Sequence, residues 1–284
     1  MVRKRKGIIL AGGTGCRLYP STMSVSKQLL PIYDKPMVYY PLTTLIQSEI
    51  NDILIITNPH FVWHYRELFK DAHELGLNIE VAMQPEAGGI PQAFTIGEKF
   101  IGGDDVCLIL GDNFYYGGFM PTGVHATQAT IFAYKVHDPS AYGVLEFDKG
   151  DIKGIVEKPT EYISPWAVTG LYFYPNDVVE IAKTLKPSGR GELEITDVNQ
   201  HYCDQDNLRA EFMARESVWL DCGTHDALAD ATSYVRTVEA RTGFKVGCYE
   251  EAALNYGFAE LEGIEKAAAK VGGAYGEYLR TFLG

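Results

Sequence analysis

The stretch Gly7-Ile-Ile-Leu-Ala-Gly-Gly-Thr-Gly-Cys-Arg17 joins a short apolar run to a loop that holds three glycines in four residues. An unbroken apolar run is typical of a strand that is buried on both faces, as in a parallel sheet. Glycines let backbone N–H groups approach an anion closely, which side chains would obstruct. The stretch therefore predicts the first strand of an α/β sheet, followed by a loop that can hold phosphate.

The spacing of this loop excludes two common phosphate loops. A P-loop needs Gly-Lys followed by Ser or Thr, which does not occur in the chain. A dinucleotide-binding loop needs a glycine three positions after Gly15, where Leu18 stands, and this argues against an NAD(P)-dependent oxidoreductase. The loop instead carries Arg17, and Lys27 follows, a pair of cations that suits a polyphosphate. On the glycines alone, a tight turn with solvated charges is an equally good interpretation.

Further apolar runs alternate with segments long enough for helices in the first half of the chain. The runs are 52–57, 79–83 and 106–110, and the helix-length segments are 37–50, 61–75 and 90–100. We therefore expect an α/β fold with a Rossmann-like, mostly parallel central sheet and helices on both faces. Because such sheets bind ligands beyond the carboxyl ends of their strands, chemistry is expected in 12–27, 84–89 and 111–113.

Short strand-like runs replace this alternation after Ala129, with only two helical segments between them. These runs predict additional strands beside the central sheet. The chain then ends in one long predicted helix at 224–242 and a helical tail at 250–283. Because no repeat or flexible linker marks a boundary, we expect a single domain over 1–284. Its three parts are 1–128, 129–223 and 224–284.

The composition argues against several classes of protein. Among 284 residues, 25 are Lys or Arg and 37 are Asp or Glu, which gives a net charge of −12. Such an acidic chain is poorly suited to bind nucleic acid or an anionic membrane nonspecifically. Five cysteines without a CxxC pair predict neither a disulfide framework nor a zinc ribbon. No apolar stretch reaches the length of a signal-peptide core or a membrane span, so we expect a cytoplasmic protein.

Six blocks, spread in order over nearly the whole chain, carry the most specific signal. The first is Gly-Gly-x-Gly-x-Arg17 followed by Ser26-Lys-Gln-Leu-Leu-Pro-Ile-Tyr-Asp-Lys-Pro-Met37. The others are Leu110-Gly-Asp-Asn113, Val156-Glu-Lys-Pro159, Ala167-Val-Thr-Gly-Leu-Tyr-Phe-Tyr174, Arg190-Gly-Glu-Leu-Glu-Ile-Thr-Asp197 and Trp219-Leu-Asp-Cys-Gly-Thr-His225. Together these blocks resemble the sugar-nucleotide pyrophosphorylase family. The stretch 25–41 is most similar to its thymidylyl branch, because the other branches usually carry Pro before the Lys.

This resemblance implies a nucleotidyl transfer. In such a reaction dTTP and α-D-glucose 1-phosphate give dTDP-glucose and pyrophosphate, by in-line attack of the sugar phosphate on the α-phosphorus with the help of Mg²⁺. No covalent nucleophile is needed, so catalysis rests on positioning and charge stabilisation. The resemblance assigns nucleotide binding to 1–128, and sugar binding and completion of the metal site to 129–223. It also implies a homotetramer and a place at the start of dTDP-rhamnose synthesis.

Two alternatives stay open beside this activity. One is a sister pyrophosphorylase that uses UTP or another hexose 1-phosphate, and the other is a noncatalytic sensor of nucleotide sugars. The sensor would need only binding groups, whereas the chain holds Arg17, Lys27, Asp112 and Asp221 together. The combination therefore favours an enzyme.

The resemblance also implies roles for individual residues. Arg17 would be catalytic, stabilising the leaving pyrophosphate and the transition-state charge, and Lys27 would also serve the phosphates. Asp112 and Asp221 would bind one Mg²⁺, and we expect their carboxylates to converge, since each follows an apolar strand. The nucleotide-binding positions would be Gly12, Gly13, Gly15, Gln28, Gln84, Gly89 and Asp112. The sugar-phosphate positions would be Asn113, Gly143, Glu157, Lys158, Thr169 and Tyr172.

Three departures from the family pattern concern the proposed site and its control. Cys16 stands where a hydroxyl residue is usual, and Cys222 stands where Thr is usual. The segment 113–130 is shorter than in the family, where it contributes to a second nucleotide-sugar site used for feedback control. We therefore expect feedback inhibition to be weak or absent.

Overall fold

The computed structural model describes residues 4–118, 121 and 128–284. Its strands are β1 (Arg5–Ala11), β2 (Pro31–Ile32), β3 (Lys35–Pro36), β4 (Asp52–Thr57), β5 (Asn78–Met83), β6 (Asp105–Leu110), β7 (Asn113–Tyr116), β8 (Ala129–Lys135), β9 (Gly143–Asp148), β10 (Asp151–Glu157), β11 (Trp166–Tyr174), β12 (Leu208–Phe212) and β13 (Val218–Asp221). Its helices are α1 (Tyr39–Gln47), α2 (Val62–Leu68), α3 (Gln92–Ile96), α4 (Glu98–Ile101), α5 (Val178–Thr184), α6 (Ile195–Asp204), α7 (His225–Thr242), α8 (Tyr249–Asn255), α9 (Leu261–Lys270) and α10 (Gly273–Arg280).

Nine of the described strands form one sheet, and β1 lies in the middle of its parallel part. β1 pairs in parallel with β4 on one side and with β6 on the other, and β4 pairs in parallel with β5. Ile9 of β1 lies opposite Ile55 of β4 and Ile109 of β6, and all three side chains are fully buried. The strand order is β10-β9-β11-β6-β1-β4-β5, and β8 joins β11 to β12. The predicted central sheet is confirmed.

Helices cover both faces of this sheet, and neighbouring residues of β1 belong to different cores. Ile9 packs in one core with Leu45 of α1. Ile8 packs in the other core with Phe94 of α3 and Val178 of α5. Because side chains alternate along a strand, an unbroken apolar run supplies both faces at once. Each fully buried side chain of this kind stabilises the fold by about 1.5–3 kcal/mol.

Antiparallel strands extend the sheet beyond β6, as the change of pattern after Ala129 predicts. β11 pairs with β6, and both β8 and β9 pair with β11. The separate two-stranded sheet of β7 and β13 is not predicted from the sequence. β7 follows β6 after only Gly111 and Asp112, so the two strands resemble one continuous segment.

Two of the predicted helices are interrupted. α2 ends at Leu68, and a 3-10 turn at 72–75 occupies the end of the segment predicted as one helix. The next predicted helix is divided into α3 and α4 at Gly97. A β-carbon at Gly97 would lie 2.9 Å from the Ala93 carbonyl oxygen and 3.0 Å from the Ile8 side chain. Close packing against the sheet therefore requires glycine at a position that also weakens the helix.

The C-terminal helices α7 to α10 are present as predicted. α7 begins after Thr224, whose hydroxyl accepts the Ala227 N–H over 3.2 Å, and ends at Gly243, which has a φ of 76°. Both features are common at helix ends. α8 packs against α1, so the tail completes the core on that face of the sheet. Within the ranges described, no helix is both long and apolar enough to cross a membrane.

Candidate active site

Two aspartates lie side by side at one end of the sheet. Asp112 follows β6, and Asp221 is the last residue of β13. Because β13 pairs antiparallel with β7, Asp221 lies opposite Asn113. The Cys222 backbone N–H donates to the Asp112 carbonyl oxygen over 2.9 Å. The small sheet that sequence analysis misses therefore brings the two aspartates together.

These two aspartates line a pocket of about 440 Å³. The lining includes eight of the residues that the resemblance singles out: Arg17, Asp112, Asn113, Gly143, Glu157, Lys158, Tyr172 and Asp221. The loops after parallel strands meet at the carboxyl end of a sheet, and ligands bind there. One pocket thus collects charged and polar side chains from the glycine-rich loop and from five strands or their ends.

Two neighbours hold the Asp112 carboxylate within this pocket. Lys27 forms an ion pair with it, and the Asn113 side-chain amide donates to Asp112 Oδ1 over 3.1 Å. Burial is the largest influence on the pKa of Asp112 and raises it. The Lys27 charge and the two hydrogen bonds outweigh burial, so the pKa of Asp112 lies below its usual value. Asp112 is therefore ionised at neutral pH.

The pKa of Asp221 is shifted in the opposite direction. Burial, followed by the negative charge of Asp112, raises the pKa of Asp221 to about 6. The positive charges of Arg17, Lys27 and Lys158 offset only part of this effect. Two partly buried carboxylates that repel each other favour a cation that both can bind.

The donors at this position fit Mg²⁺. This ion takes oxygen ligands, and proteins usually bind it through one or two carboxylates together with phosphate oxygens and water. Asp112 and Asp221 supply two carboxylates. The described part of the chain contains no cluster of three or more His, Cys, Asp or Glu that would form a complete cage. Coordination by the two aspartates would therefore leave positions for substrate phosphates.

Arg17 extends from the glycine-rich loop to the side of the pocket that holds Asp112 and Asp221. Gly13 and Gly15 have positive φ angles of 86° and 63°, and the loop leads directly into the 3-10 turn that carries Arg17. A β-carbon at Gly223 would lie 2.8 Å from Arg17 Nη2 and 3.1 Å from Asp221 Oδ1. Glycine at position 223 therefore makes room for the guanidinium group beside Asp221.

Asn113 connects the pocket wall to a tryptophan that the sequence analysis does not assign to the site. Its Oδ1 accepts the Trp219 indole N–H over 2.6 Å and the Gly170 backbone N–H over 3.1 Å. These bonds fix the amide so that its NH₂ group faces Asp112. Trp219 stands two residues before Asp221 on β13, so the two side chains share one face of the strand. That spacing is the signal by which Trp219 could have been found.

Glu157 forms a second wall, and its carboxylate already has partners. Thr196 Oγ1 donates to Glu157 Oε2 over 2.6 Å, and Arg190 Nη2 donates to Oε1 over 3.3 Å. Gly143 lies directly opposite Glu157 in the β9–β10 pair and presents no side chain. Lys158 follows Glu157 with its side chain half exposed. Arg190 and Thr196 are not among the predicted site residues, although the matched block 190–197 contains both.

Apart from Asp112, the predicted nucleotide-binding residues lie outside the lining of this pocket. A β-carbon at Gly12 would lie 2.0 Å from Gln84 Oε1, so the glycine-rich loop and the Gln84 amide are in contact. Gln28 is buried, and a β-carbon at Gly111 would lie 3.0 Å from its side chain. These contacts place both glutamines at the carboxyl ends of the parallel strands, next to the glycines. Their contacts with a nucleotide stay a prediction.

Residues 6–238 match the nucleotidyl transferase family. The chain belongs to this family. Glucose-1-phosphate thymidylyltransferases of Mycobacterium tuberculosis (strain ATCC 25618 / H37Rv) and Neisseria meningitidis serogroup A are 51% and 48% identical to it, each over 98% of this chain and 99% of the relative. A Bacillus anthracis structure assigned to the same activity, with sucrose bound, has a TM-score of 0.76 and 40% identity over 82% of this chain and 96% of its own. A UDP-glucose pyrophosphorylase complexed with UDP-glucose, at 22% identity and a TM-score of 0.71, shares the fold.

One predicted sugar contact of this nucleotidyl transferase, Thr169, is not brought into the lining of the pocket. Thr169 is fully buried and does not line the pocket, whereas Gly170 and Tyr172 of the same strand do. Successive side chains of a strand point to opposite faces, so the Thr169 side chain faces away from the pocket. A β-carbon at Gly170 would lie 2.7 Å from Asn113 Oδ1. β11 therefore approaches the pocket at this point through its backbone.

The departures from the family pattern have different outcomes in this nucleotidyl transferase. Cys16 is exposed, and Cys222 is buried. Burial, followed by the charges of Asp112 and Asp221, raises the pKa of the Cys222 thiol, so the thiol is neutral. In the shortened segment, residues 119, 120 and 122–127 lie outside the described residues. The prediction of weak feedback inhibition therefore stays a prediction.

Proposed function

We propose that this nucleotidyl transferase transfers a thymidylyl group from dTTP to α-D-glucose 1-phosphate and releases dTDP-glucose and pyrophosphate. The observation that carries the proposal is that Arg17, Asp112, Lys158 and Asp221 line one pocket. Relatives named glucose-1-phosphate thymidylyltransferase, at 51% and 48% identity over 98% of the chain, support the choice of nucleotide and sugar.

The charged residues around Asp112 would serve the phosphates. Asp112 and Asp221 would hold Mg²⁺, which when bound neutralises phosphate charge and orients the nucleotide. Arg17 offers a fork of N–H donors to the charge that develops on the leaving pyrophosphate. Lys27 adds a compact positive charge beside the same phosphates, held in place by its ion pair with Asp112. The group therefore stabilises charge without forming a bond to the substrate.

The second wall would position the sugar 1-phosphate. The Glu157 carboxylate, fixed by Thr196 and Arg190, has lone pairs left for the hydroxyl groups of a hexose. The half-exposed Lys158 would hold the 1-phosphate. The attacking phosphate oxygen is already an anion, so no general base is required. The contribution of this wall is to align that oxygen with the α-phosphorus.

A matrix of nucleotides against sugar 1-phosphates, read by pyrophosphate release in the presence of Mg²⁺, tests the proposal. We expect dTTP with α-D-glucose 1-phosphate to give the highest kcat/KM. Higher kcat/KM with UTP, or with another hexose 1-phosphate, would replace this activity by that of a sister pyrophosphorylase. If no pair releases pyrophosphate, the chain is not a pyrophosphorylase.

Three finer points belong to the same proposal, and the resemblance to sugar-nucleotide pyrophosphorylases is their main support. We propose that the protein acts as a homotetramer, in the cytoplasm, and supplies dTDP-glucose to dTDP-rhamnose synthesis. All five cysteines are free, which suits a reducing compartment. Light scattering of the purified protein measures the oligomeric state, and a mass other than four subunits would contradict the tetramer.

A further inference from the structure

Two glutamine side chains lie against each other beside the glycine-rich loop. Gln84 follows β5 and is buried, and Gln92 is the first residue of α3. The Gln84 amide nitrogen donates to Gln92 Oε1 over 2.8 Å, and the Gly88 backbone N–H donates to the same oxygen over 3.0 Å. The Gln92 carbonyl oxygen is therefore an acceptor with two donors already in place.

Two glycines leave the space that these amides occupy. A β-carbon at Gly12 would lie 2.0 Å from Gln84 Oε1, and a β-carbon at Gly88 would lie 2.3 Å from Gln92 Nε2. Real β-carbons essentially never approach other atoms closer than 3.0 Å. The carbonyl end of Gln84 thus faces the glycine-rich loop, which the resemblance assigns to nucleotide binding, and its NH₂ end faces Gln92.

This orientation is dictated by the chemistry of the amide group. An amide has one end that accepts hydrogen bonds and one end that donates them. If the Gln84 amide turned over, two carbonyl oxygens would face each other and the bond to Gln92 would be lost. In a buried place, leaving such groups without a partner costs about 1–3 kcal/mol. Gln92 therefore holds Gln84 in one of its two orientations.

We propose that Gln92 is a positioning residue for base recognition, which keeps Gln84 Oε1 turned toward the base as a hydrogen-bond acceptor. The inference rests on the proposed function and on the nucleotide-binding role that the resemblance implies for Gln84, which we take to be a contact with the pyrimidine. Thymine and uracil carry an N3–H donor that such an acceptor can bind. Cytosine carries a lone pair at N3, which would face the Gln84 oxygen and be repelled. Gln92 would thus select keto pyrimidines without touching the nucleotide.

The test compares dUTP with dCTP, because neither base carries a methyl group and both nucleotides have the same sugar. In a Gln92→Met variant the side chain keeps its length but loses its acceptor, so Gln84 is free to turn over. We expect the ratio of kcat/KM for dUTP to that for dCTP to fall by at least about tenfold. Most of the change should be a gain with dCTP. The ratio of dTTP to dUTP should stay constant, since these two bases have the same N3–H.

Two further variants separate positioning from general damage. Gln92→Glu keeps acceptor oxygens toward Gln84, and should retain or raise the dUTP to dCTP ratio even if overall activity falls. Gln200 is a matched control, because its Oε1 also accepts a backbone N–H, that of Ile155 over 3.3 Å, but it lies on α6. Gln200→Met should leave the ratio unchanged.

The outcomes distinguish this inference from the proposed function. If the wild-type protein releases pyrophosphate with none of these nucleotides, the proposed function fails. If it is active and Gln92→Met changes the dUTP to dCTP ratio by less than about twofold, the inference about Gln92 is overturned alone. If Gln92→Met does not fold, the Gln92→Glu variant decides. A retained or raised dUTP to dCTP ratio supports the positioning role, and a ratio near one overturns it.

Discussion

The two walls of the pocket differ in how their carboxylates are paired. We call Arg17, Asp112 and Asp221, together with Lys27 as the partner of Asp112, the phosphate wall. In this wall Asp112 has an ion-pair partner, while the pKa of Asp221 is raised to about 6 by burial and by the neighbouring carboxylate. The phosphate wall thus contains one carboxylate with an ion-pair partner and one whose ionisation is disfavoured by its surroundings.

The other wall, which we call the sugar wall, consists of Gly143, Glu157 and Lys158, together with Arg190 and Thr196 as the partners of Glu157. The carboxylate of this wall, that of the partly buried Glu157, already accepts hydrogen bonds from Thr196 and Arg190. A wall that holds two carboxylates close together would be completed by a metal ion and by phosphates, so it would act on the transition state. A wall with its hydrogen bonds already made presents a fixed surface, so it would act mainly on binding.

The largest expected effect is that of Asp221→Asn in the phosphate wall. The substitution keeps the shape of the side chain but removes one of the two carboxylates that would bind Mg²⁺. A metal ion supplies several kcal/mol of transition-state stabilisation, so we expect kcat/KM to fall about 10³-fold. Steady-state pyrophosphate release over a range of Mg²⁺ concentrations measures this. Asp226→Asn, at an exposed position of α7, is the matched control and should behave as wild type. A loss of less than about tenfold would remove Asp221 from the metal site.

Arg17→Ala is expected to have the next largest effect, and it should lower kcat more than it raises KM. The guanidinium fork meets charge that is present mainly in the transition state, and loss of one such donor typically costs about 3 kcal/mol, or ~100-fold in rate. Separate kcat and KM values for dTTP test this role. Arg236→Ala on the exposed face of α7 serves as the control. An unchanged kcat with a raised KM would show that Arg17 only binds the substrate.

The fold and the phosphate wall are largely predictable from the sequence because their signals are local. The apolar run ending at Ala11, the glycines after it and Arg17 follow one another directly. The convergence of Asp112 with Asp221 depends instead on the β7–β13 pair, whose strands are far apart in sequence. Strand pairing of this kind leaves no local periodicity, which explains why the small sheet is missed.

The sugar wall is less predictable, and the differences between expected and observed positions have a common cause. Thr169 lies in a matched block, but side-chain alternation along β11 turns it away from the pocket. Thr196 is missed because it acts through Glu157 across a distance in sequence. A matched block identifies a strand that lines a site, whereas the face that each residue presents depends on the register of the sheet.

Trp219→Phe should have a moderate effect, and it tests whether the phosphate wall depends on the amide of Asn113. The substitution keeps an aromatic ring but removes the N–H that donates to Asn113 Oδ1 over 2.6 Å. Losing a buried hydrogen bond of this kind costs about 1–1.5 kcal/mol, so kcat should fall about tenfold. The apparent affinity for Mg²⁺ should weaken at the same time, because Asn113 no longer fixes Asp112. Trp63→Phe, on a side chain that is 70% exposed, is the control. Unchanged Mg²⁺ dependence would show that Trp219 does not act through Asp112.

Thr196→Val is expected to have the smallest effect, and it tests the sugar wall directly. Valine has nearly the shape of threonine but cannot donate to Glu157 Oε2, so the carboxylate keeps Arg190 as a partner and loses its shorter bond of 2.6 Å. The loss of one hydrogen bond to a partly buried carboxylate costs about 1 kcal/mol, so KM for the sugar 1-phosphate should rise about fivefold. The kcat value should change less than about twofold, because the hydrogen bond is made equally in the ground state and the transition state. Thr237→Val on the exposed face of α7 controls for the exchange of threonine for valine, since its hydroxyl bonds only to the Ser233 carbonyl oxygen of its own helix. A fall in kcat as large as that of Trp219→Phe, with KM unchanged, would mean that the two walls do not divide binding from charge stabilisation.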